Sequence, residues 1–244
     1  MKRIILSVFI ITCVIFAASC SEKSKNSSVE TTASTESKAT AATSKPAEKT
    51  AYNGIDVSSY SGDINWKEVK KSGIEFAMVR AGGRAYGESG MLYTDKNADY
   101  NLAQAQKLGI KTGAYFFSQA TSAEEAKEEA KYVVTVCKGK KIELPIAYDV
   151  ERIKYDTSRI DNVKYSDSVK YAKIFMKTIK TAGYEPMVYI GEDSILKAED
   201  FKGYKIWYAD YGKPYDSGYY MLQYSKTGNI NGINGSVDLN TMYY

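Results

Sequence analysis

The chain has 244 residues, of which 44% are hydrophobic, and its formal net charge at pH 7 is +4. This length accommodates one large domain with an extension, and so small a net charge lacks the basic footprint of a nucleic-acid-binding protein. The sequence contains no histidine, which excludes Ser-His-Asp and Cys-His catalysis and argues against a catalytic zinc. Acid–base chemistry therefore falls to Asp, Glu, Tyr, Lys or Cys, and no metal or organic cofactor is indicated.

The first residues predict an export signal. Lys2 and Arg3 precede an apolar run over residues 4–18, which is short for a membrane-spanning helix and typical of a secretory leader. Small residues stand directly before Cys20, as in the bacterial lipoprotein signal, where the cysteine becomes the lipidated N-terminus. We therefore expect a leader over 1–19 and lipidation at Cys20; a plain cleaved leader and an uncleaved signal anchor are the alternatives.

A polar segment follows the proposed anchor. Residues 20–50 are rich in Ser, Thr, Ala, Lys and Glu, and they cannot bury a core, so they predict a disordered tether. The lipid would hold the protein at the outer face of a membrane, in an extracytoplasmic location. Cys13 lies in the leader, so Cys137 has no partner for an internal disulfide and is interpreted as a small core residue.

Residues 51–244 form the predicted folded domain, in which strands and helices alternate. Strands are predicted at 54–58, 76–81, 111–118, 144–151, 186–190, 205–209, 219–224 and 237–239. Helices are predicted at 65–72, 96–108, 122–138 and 166–182, with a weaker one at 193–198. This pattern predicts an α/β fold, an irregular parallel (β/α) barrel of TIM type with reduced helices in its C-terminal half.

Acidic side chains occur where the predicted strands end. The apolar strand over 144–151 finishes with Asp149 and Glu151, whose side chains share one face because strand residues alternate. Burial and like charge raise a carboxyl pKa, so one of the two is suited to act as a general acid. Two solvated acids at a strand–loop junction are the alternative. Asp56 ends another strand and Asp238 lies in the last one, and the working site of such a barrel lies at the carboxyl ends of its strands.

Several motifs together resemble glycoside hydrolase family 25, the lysozymes that cleave bacterial peptidoglycan. The Asp149-Val150-Glu151 segment is similar to the Asp-x-Glu of that family. The other matching segments occur in the family's order at residues 54–58, 62–66, 76–80, 113–118, 207–211, 223–225 and 237–240.

The resemblance implies cleavage of the β-1,4 bond between N-acetylmuramic acid and N-acetylglucosamine. It implies that Glu151 is the proton donor, that Asp149 is the neighbouring acid, and that Asp56 and Asp238 are further carboxylates of the site. A carboxylate could act as nucleophile or base opposite Glu151, or the acetamido group of the substrate could attack with help from Asp149. We favour the second mechanism, because Asp149 and Glu151 lie on the same side of the site. Asp56 could instead be structural.

Aromatic and polar residues near the carboxyl ends of the strands are candidates for sugar binding. Strand alternation points Tyr115, Tyr189 and Trp207 into the barrel, with Gln223 as a polar partner and Phe117 as a further candidate. Barrel packing is the alternative for each ring. Arg80 could reach a carboxylate of the site or the muramyl lactyl group, or it could form a structural ion pair.

The predicted partners are peptidoglycan glycan strands and, through the lipid anchor, a membrane, but no nucleic acid. The protein is expected to act as a monomer. A module that binds wall glycan without cutting it, and a hydrolase of another N-acetylated glycan such as chitin, are the alternative functions.

Overall fold

The computed structural model of the chain describes residues 50–154, 156–211 and 218–243. The predicted leader, Cys20 and the tether as far as residue 49 lie outside these residues, and their assignments stay predictions. Within the described ranges, no helix combines the length and the apolar character needed to cross a membrane.

Eight strands close into a barrel. Its strands, in chain order, are β1 (Ala51–Val57), β2 (Phe76–Arg84), β4 (Lys111–Phe117), β5 (Ile146–Asp149), β6 (Pro186–Ile190), β7 (Lys205–Ala209), β8 (Met221–Gly228) and β9 (Val237–Tyr243). Around the ring the order is β1-β9-β8-β7-β6-β5-β4-β2, and β2 pairs back with β1. The barrel prediction is confirmed. A short strand that the sequence did not predict, β3 (Leu92–Thr94), pairs antiparallel with β2 outside the ring.

The last strand runs against the others, so the prediction of a fully parallel barrel is wrong at this point. Strand β9 is antiparallel to both of its neighbours, β1 and β8. It is also seven residues long, whereas the sequence predicted only residues 237–239. A parallel neighbour needs a crossover of a dozen or more residues, and the connection over 229–236 is too short for one. The chain therefore returns as a hairpin.

In the part of the chain that the structure describes, four α-helices pack on the outside of the barrel, all before β6. They are α1 (Trp66–Lys71), α2 (Ala98–Lys107), α3 (Ala123–Cys137) and α4 (Tyr165–Thr181). In the described C-terminal part only a single 3-10 turn, Ala198–Phe201, follows them, as the reduced-helix prediction requires. The weak helix predicted over 193–198 is wrong, because Ser194 instead forms an isolated β-bridge with Glu151.

The helix boundaries follow local capping chemistry. Ser122 Oγ accepts the backbone N–H of Glu125 at the start of α3, as expected for a capping residue. The Glu125 carboxylate, however, accepts the N–H of Thr121 rather than that of Ser122. Gly109 and Gly183 follow the ends of α2 and α4 with φ of 71° and 88°, a conformation that only glycine adopts without strain.

The core has an inner and an outer layer because strand side chains alternate. Inside the barrel, buried methionines surround Phe76 and Trp207. Outside it, Phe116 and Tyr148 pack against Phe175 of α4, with the Tyr148 and Phe175 ring centroids 4.9 Å apart. The same alternation in β4 turns Tyr115 and Phe117 toward the barrel interior. At the end of the barrel where the parallel strands finish, this inner layer of side chains leaves a cavity.

Candidate active site

A cavity of about 430 Å³ opens at the mouth where the parallel strands end. Its volume is in the range of small-molecule sites. The ten residues singled out from the sequence as candidates for catalysis or sugar binding all line it, namely Asp56, Arg80, Tyr115, Phe117, Asp149, Glu151, Tyr189, Trp207, Gln223 and Asp238. Residues from all eight barrel strands or their ends therefore meet around one space.

Asp149 and Glu151 reach this cavity in different ways. Asp149 is the last residue of β5, opposite Phe117 of β4, and its carbonyl accepts the N–H of Ser118 at 2.7 Å. The neighbouring strand β4 ends at Phe117, so β5 has no further hydrogen-bonding partner on that side. The prediction of a strand as far as residue 151 was therefore too long. Glu151 lies beyond the sheet and is joined to Ser194 by a single bridge.

Asp56 and Asp238 are direct cross-strand neighbours on β1 and β9. Because β9 is antiparallel, its first residues rather than its last lie at the mouth, and this direction brings Asp238 to the carboxyl end of β1. A hydrogen bond between the two carboxyl groups favours a proton on Asp56 over one on Asp238. Burial and the nearby charge of Asp238 together raise the pKa of Asp56 to about 8.

The Asp149–Glu151 pair is also shifted toward the protonated state. Burial raises the pKa of Glu151 to about 7, with further contributions from the charges of Asp193 and Asp238. Burial raises the pKa of Asp149 well above its ordinary value, and the charges of Glu151 and Asp56 add to the effect. At neutral pH a substantial fraction of Glu151 is therefore protonated, as a general acid requires.

Replacing Asp56 with Asn should change how stability depends on pH. Because the folded-state pKa of Asp56 is raised, the folded protein holds a proton that the unfolded chain releases, and wild type loses stability as pH rises toward 8. The Asp56→Asn variant lacks this loss. As the pH rises, its free energy of unfolding should therefore increase relative to that of wild type by up to about 1.4 kcal/mol per pH unit. Urea unfolding of both proteins at pH 5, 6, 7 and 8 measures this difference in stability.

The exposed Asp63→Asn variant is the matched control, and its difference from wild type should stay constant over the same series. A constant difference for Asp56→Asn as well would contradict a proton held at Asp56.

A chain of amide and aromatic groups fixes the floor of the cavity. Gln223 donates its Nε2–H to Asp56 Oδ2 at 2.8 Å, while its Oε1 accepts the hydroxyls of Tyr189 and Tyr211. Asn240, opposite Gln223 in the β8–β9 pair, also donates to Asp56 Oδ2 and accepts Trp207 Nε1–H. These bonds set the orientation of the Gln223 and Asn240 amides beside Asp56.

Arg80 forms a structural ion pair, one of the three roles that the sequence left open. Its guanidinium lies 2.6 Å from Asp95 Oδ2 and also donates to Ser59 Oγ. The Tyr60 ring stacks on it, with the ring centroid 4.8 Å from Arg80 Cζ. Arg80 still borders the cavity, so a glycan carboxylate could reach the same edge.

Aromatic rings form the walls. Trp207 makes edge-to-face contacts with Tyr115 and Tyr189, at centroid distances of 5.8 and 4.9 Å. Tyr60 is 86% exposed and Tyr211 is 40% exposed, and both line the same cavity. Tyrosine offers a sugar ring an apolar face and a hydroxyl, so this lining is suited to a carbohydrate.

Sequence reasoning missed several residues that belong to this site. Asn240 lies two positions after Asp238, and strand alternation could have placed both on one face. Tyr60 and Tyr211 lie outside strands, where alternation does not apply. Asp95 and Asp193 come from connecting segments whose approach to the site only the fold determines. Within the described ranges, no group of three or more Asp, Glu or Cys side chains is arranged to hold a metal ion.

Comparisons with known proteins agree with this geometry. The family model "Glycosyl hydrolases family 25" matches residues 55–233. An autolytic lysozyme of Clostridium acetobutylicum is 30% identical over 190 residues, which are 76% of this chain and 54% of that protein. Lysozyme M1 of Streptomyces globisporus is 38% identical over 74 residues, 30% of this chain and 23% of that protein. The chain thus spans about half, or less, of the length of these two relatives.

Solved structures show the same fold. The modular autolysin LytC from Streptococcus pneumoniae, in complex with a synthetic peptidoglycan ligand, superposes with a TM-score of 0.66 at 28% identity, covering 80% of this chain and 47% of LytC. A family 25 glycosyl hydrolase from Bacillus anthracis gives a TM-score of 0.63 at 27% identity, covering 79% and 89%. The family model covers well over half of the sequence, and the chain belongs to the glycosyl hydrolases of family 25.

Proposed function

We propose that this chain is a muramidase, which hydrolyses the β-1,4 bond between N-acetylmuramic acid and N-acetylglucosamine in peptidoglycan. The observation that carries the proposal is the half-buried Glu151 carboxyl, with a pKa near 7, beside Asp149 in an aromatic-lined cavity of a family 25 barrel. The similarity to a lysozyme of Clostridium acetobutylicum and to LytC, whose structure holds a peptidoglycan ligand, supports this substrate.

Glu151 is proposed as the proton donor. In the first step its proton passes to the glycosidic oxygen as the bond from that oxygen to the anomeric carbon breaks. In the second step the ionised Glu151 takes a proton from a water molecule that attacks the anomeric carbon. The same carboxyl is thus acid and then base, which needs a pKa near the working pH.

Asp149 is proposed to orient the acetamido group of the substrate. One carboxyl oxygen of Asp149, Oδ1, is buried and has no hydrogen-bond partner among the described residues, so it can accept an amide N–H. The acetamido carbonyl oxygen then attacks the anomeric carbon as the leaving group departs. Positive charge develops on the acetamido group in this step. That charge lowers the pKa of Asp149, which burial otherwise holds well above its ordinary value, and the ionised carboxylate then stabilises the acetamido group.

Asp56 and Asp238 are proposed to complete the polar side of the site. Gln223 and Asn240 hold Asp56, and the hydrogen bond between Asp56 and Asp238 favours a proton on Asp56. Such a pair offers both a donor and an acceptor to substrate hydroxyls or to the attacking water. Tyr115, Phe117, Tyr189 and Trp207 are proposed to hold the sugar rings, with Arg80 at the edge.

Released reducing ends test the proposed function. Purified protein incubated with peptidoglycan should produce new reducing ends, and mass analysis of the released muropeptides should place N-acetylmuramic acid at those ends. A module that only binds glycan releases nothing, while N-acetylglucosamine ends would indicate cleavage of the other bond. Faster release of reducing ends from chitin oligomers than from peptidoglycan would favour a chitin-like glycan as the substrate.

We propose further that the protein is an extracytoplasmic lipoprotein, anchored at Cys20 and acting as a monomer on overlying wall. Residues 20–50 could extend by about 3.5 Å each, enough for a folded domain to reach peptidoglycan strands away from the membrane. Labelling of cells with a radioactive fatty acid should mark the wild-type protein and leave Cys20→Ser unmarked. Equal labelling of the two would exclude this anchor.

A further inference from the structure

The proton donor has little support from the sheet itself. Strand β5 ends at Asp149, and Glu151 follows two residues later. Its backbone forms one isolated bridge to Ser194, and the next residue, Arg152, donates its N–H to the carbonyl of Asp193. Both contacts are to the connection after β6, so a contact from the other side is needed to fix the peptide that carries the donor.

Gln119 supplies that contact from the β4 side. Its side chain is fully buried directly after β4, and its Nε2–H donates to the carbonyl oxygen of Glu151 at 3.0 Å. The amide orientation is unambiguous, because two donors aim at the other end. Gln119 Oε1 accepts Ser158 Oγ–H at 2.9 Å and the backbone N–H of Arg159 at 3.1 Å.

Gln119 is itself held by charged groups. The Arg159 guanidinium donates to the carbonyl of Gln119 at 3.0 Å and makes a two-point ion pair with Glu125, the closer contact being 2.8 Å. Burial alone would raise the pKa of Glu125, but hydrogen bonds from Arg159 and Thr121 lower it to about 2, so the pair stays ionised over the physiological range. This arrangement rigidly connects the N-terminus of α3, the end of β4 and the segment after Glu151.

We propose that Gln119 is a positioning residue for the proton donor, which acts by fixing the main chain of Glu151 so that its carboxyl faces the scissile oxygen. The proposal rests on the muramidase function proposed above. A donor must come within hydrogen-bond reach of the leaving oxygen, and a displacement of about 1 Å can lower the rate by about 10²-fold. Gln119 is not among the residues that line the cavity, so its influence passes through Glu151.

The Gln119→Met variant keeps the volume of the side chain and removes both polar ends. We expect its kcat on soluble peptidoglycan fragments to fall by about 10- to 100-fold while KM stays within about twofold of wild type. Activity should also decline at lower pH than in wild type, because a more mobile Glu151 is better hydrated and its pKa moves toward the ordinary value.

Gln106→Met is the matched control. Gln106 is a half-buried glutamine with two side-chain hydrogen bonds, to Thr112 Oγ1 and to the carbonyl of Lys141, against the three of Gln119. It braces the start of β4 at the opposite end of the barrel. Gln106→Met should lose some stability, by no more than Gln119→Met, and its kcat and pH profile should match wild type. Equal loss of kcat in both variants, or an unchanged Gln119→Met, would overturn the proposal.

Two further results separate the possible failures. An inactive wild type would refute the muramidase function rather than the positioning role. Should Gln119→Met not fold, Ser158→Ala removes one of the donors that orient Gln119 and should lower kcat in the same direction by a smaller factor. An unchanged kcat in Ser158→Ala would then overturn the proposal.

Discussion

Replacing Glu151 with Gln should nearly abolish cleavage of peptidoglycan. Gln has the same shape but no proton to transfer, and general acid catalysis contributes about 10²- to 10⁴-fold to the rate. We therefore expect kcat to fall by at least about 10³-fold, since the same carboxyl is needed in both steps. The thermal midpoint should be unchanged or higher, because burial and the neighbouring acids already disfavour the charged form of Glu151. Reducing-end release and thermal unfolding measure the two effects.

Glu192→Gln is the control for this experiment. Glu192 also lines the cavity, but its side chain is 69% exposed and its contact with Lys226 is long, at 3.9 Å. We expect its turnover to remain within a few-fold of wild type, in line with the small contribution of exposed ion pairs. Wild-type turnover in Glu151→Gln would show that the proton comes from another group.

Replacing Asp149 with Asn should lower kcat by about 10²- to 10³-fold, the range seen when one electrostatic stabiliser of a transition state is removed. Asn keeps the volume but cannot supply negative charge beside the acetamido group. The wild-type enzyme should also fail on glycan strands whose acetamido groups have been removed, because the attacking oxygen is then absent. Chemical re-acetylation of the same strands should restore cleavage, which makes the substrate its own control.

Product stereochemistry tests the same step independently. Attack by the acetamido oxygen followed by attack of water gives two inversions, so the anomeric centre of the new reducing end should keep its β configuration when observed by NMR during the reaction. An α product would reject participation of the acetamido group, and rapid cleavage of de-N-acetylated strands would do the same.

Much of the barrel could be predicted from the sequence, because apolar runs and helix caps are local signals. Seven barrel strands were placed close to their observed positions, and their alternation put Tyr115, Tyr189 and Trp207 on the inner face. The mouth followed from the general rule that parallel strands of a barrel carry the site at their carboxyl ends. The resemblance to a known family added the identities of the acids.

The remaining features depend on contacts between distant parts of the chain. The direction of β9 is set by the short connection over 229–236 and by the open edge of β1, and alternation within β9 alone does not reveal it. Arg80 pairs with Asp95 across a connecting segment, and the contact of Gln119 with Glu151 spans 32 residues. No local pattern marks such pairs, because the two partners lie far apart in the sequence.

The antiparallel pairing of β9 with β1 and β8 also has a consequence for how the domain folds during synthesis. Strand β9 lies between β1 and β8, with Ala51 opposite Tyr243, so the first strand of the barrel obtains its second neighbour only when the barrel's last strand has emerged from the ribosome. Until then β1 presents an unpaired edge, which is a template for association with other chains. A ribosome-bound or truncated chain that lacks β9 would thus be prone to aggregation. The pairing of β9 with β1, which positions Asp238, also covers the edge at which the nascent polypeptide could associate with other chains.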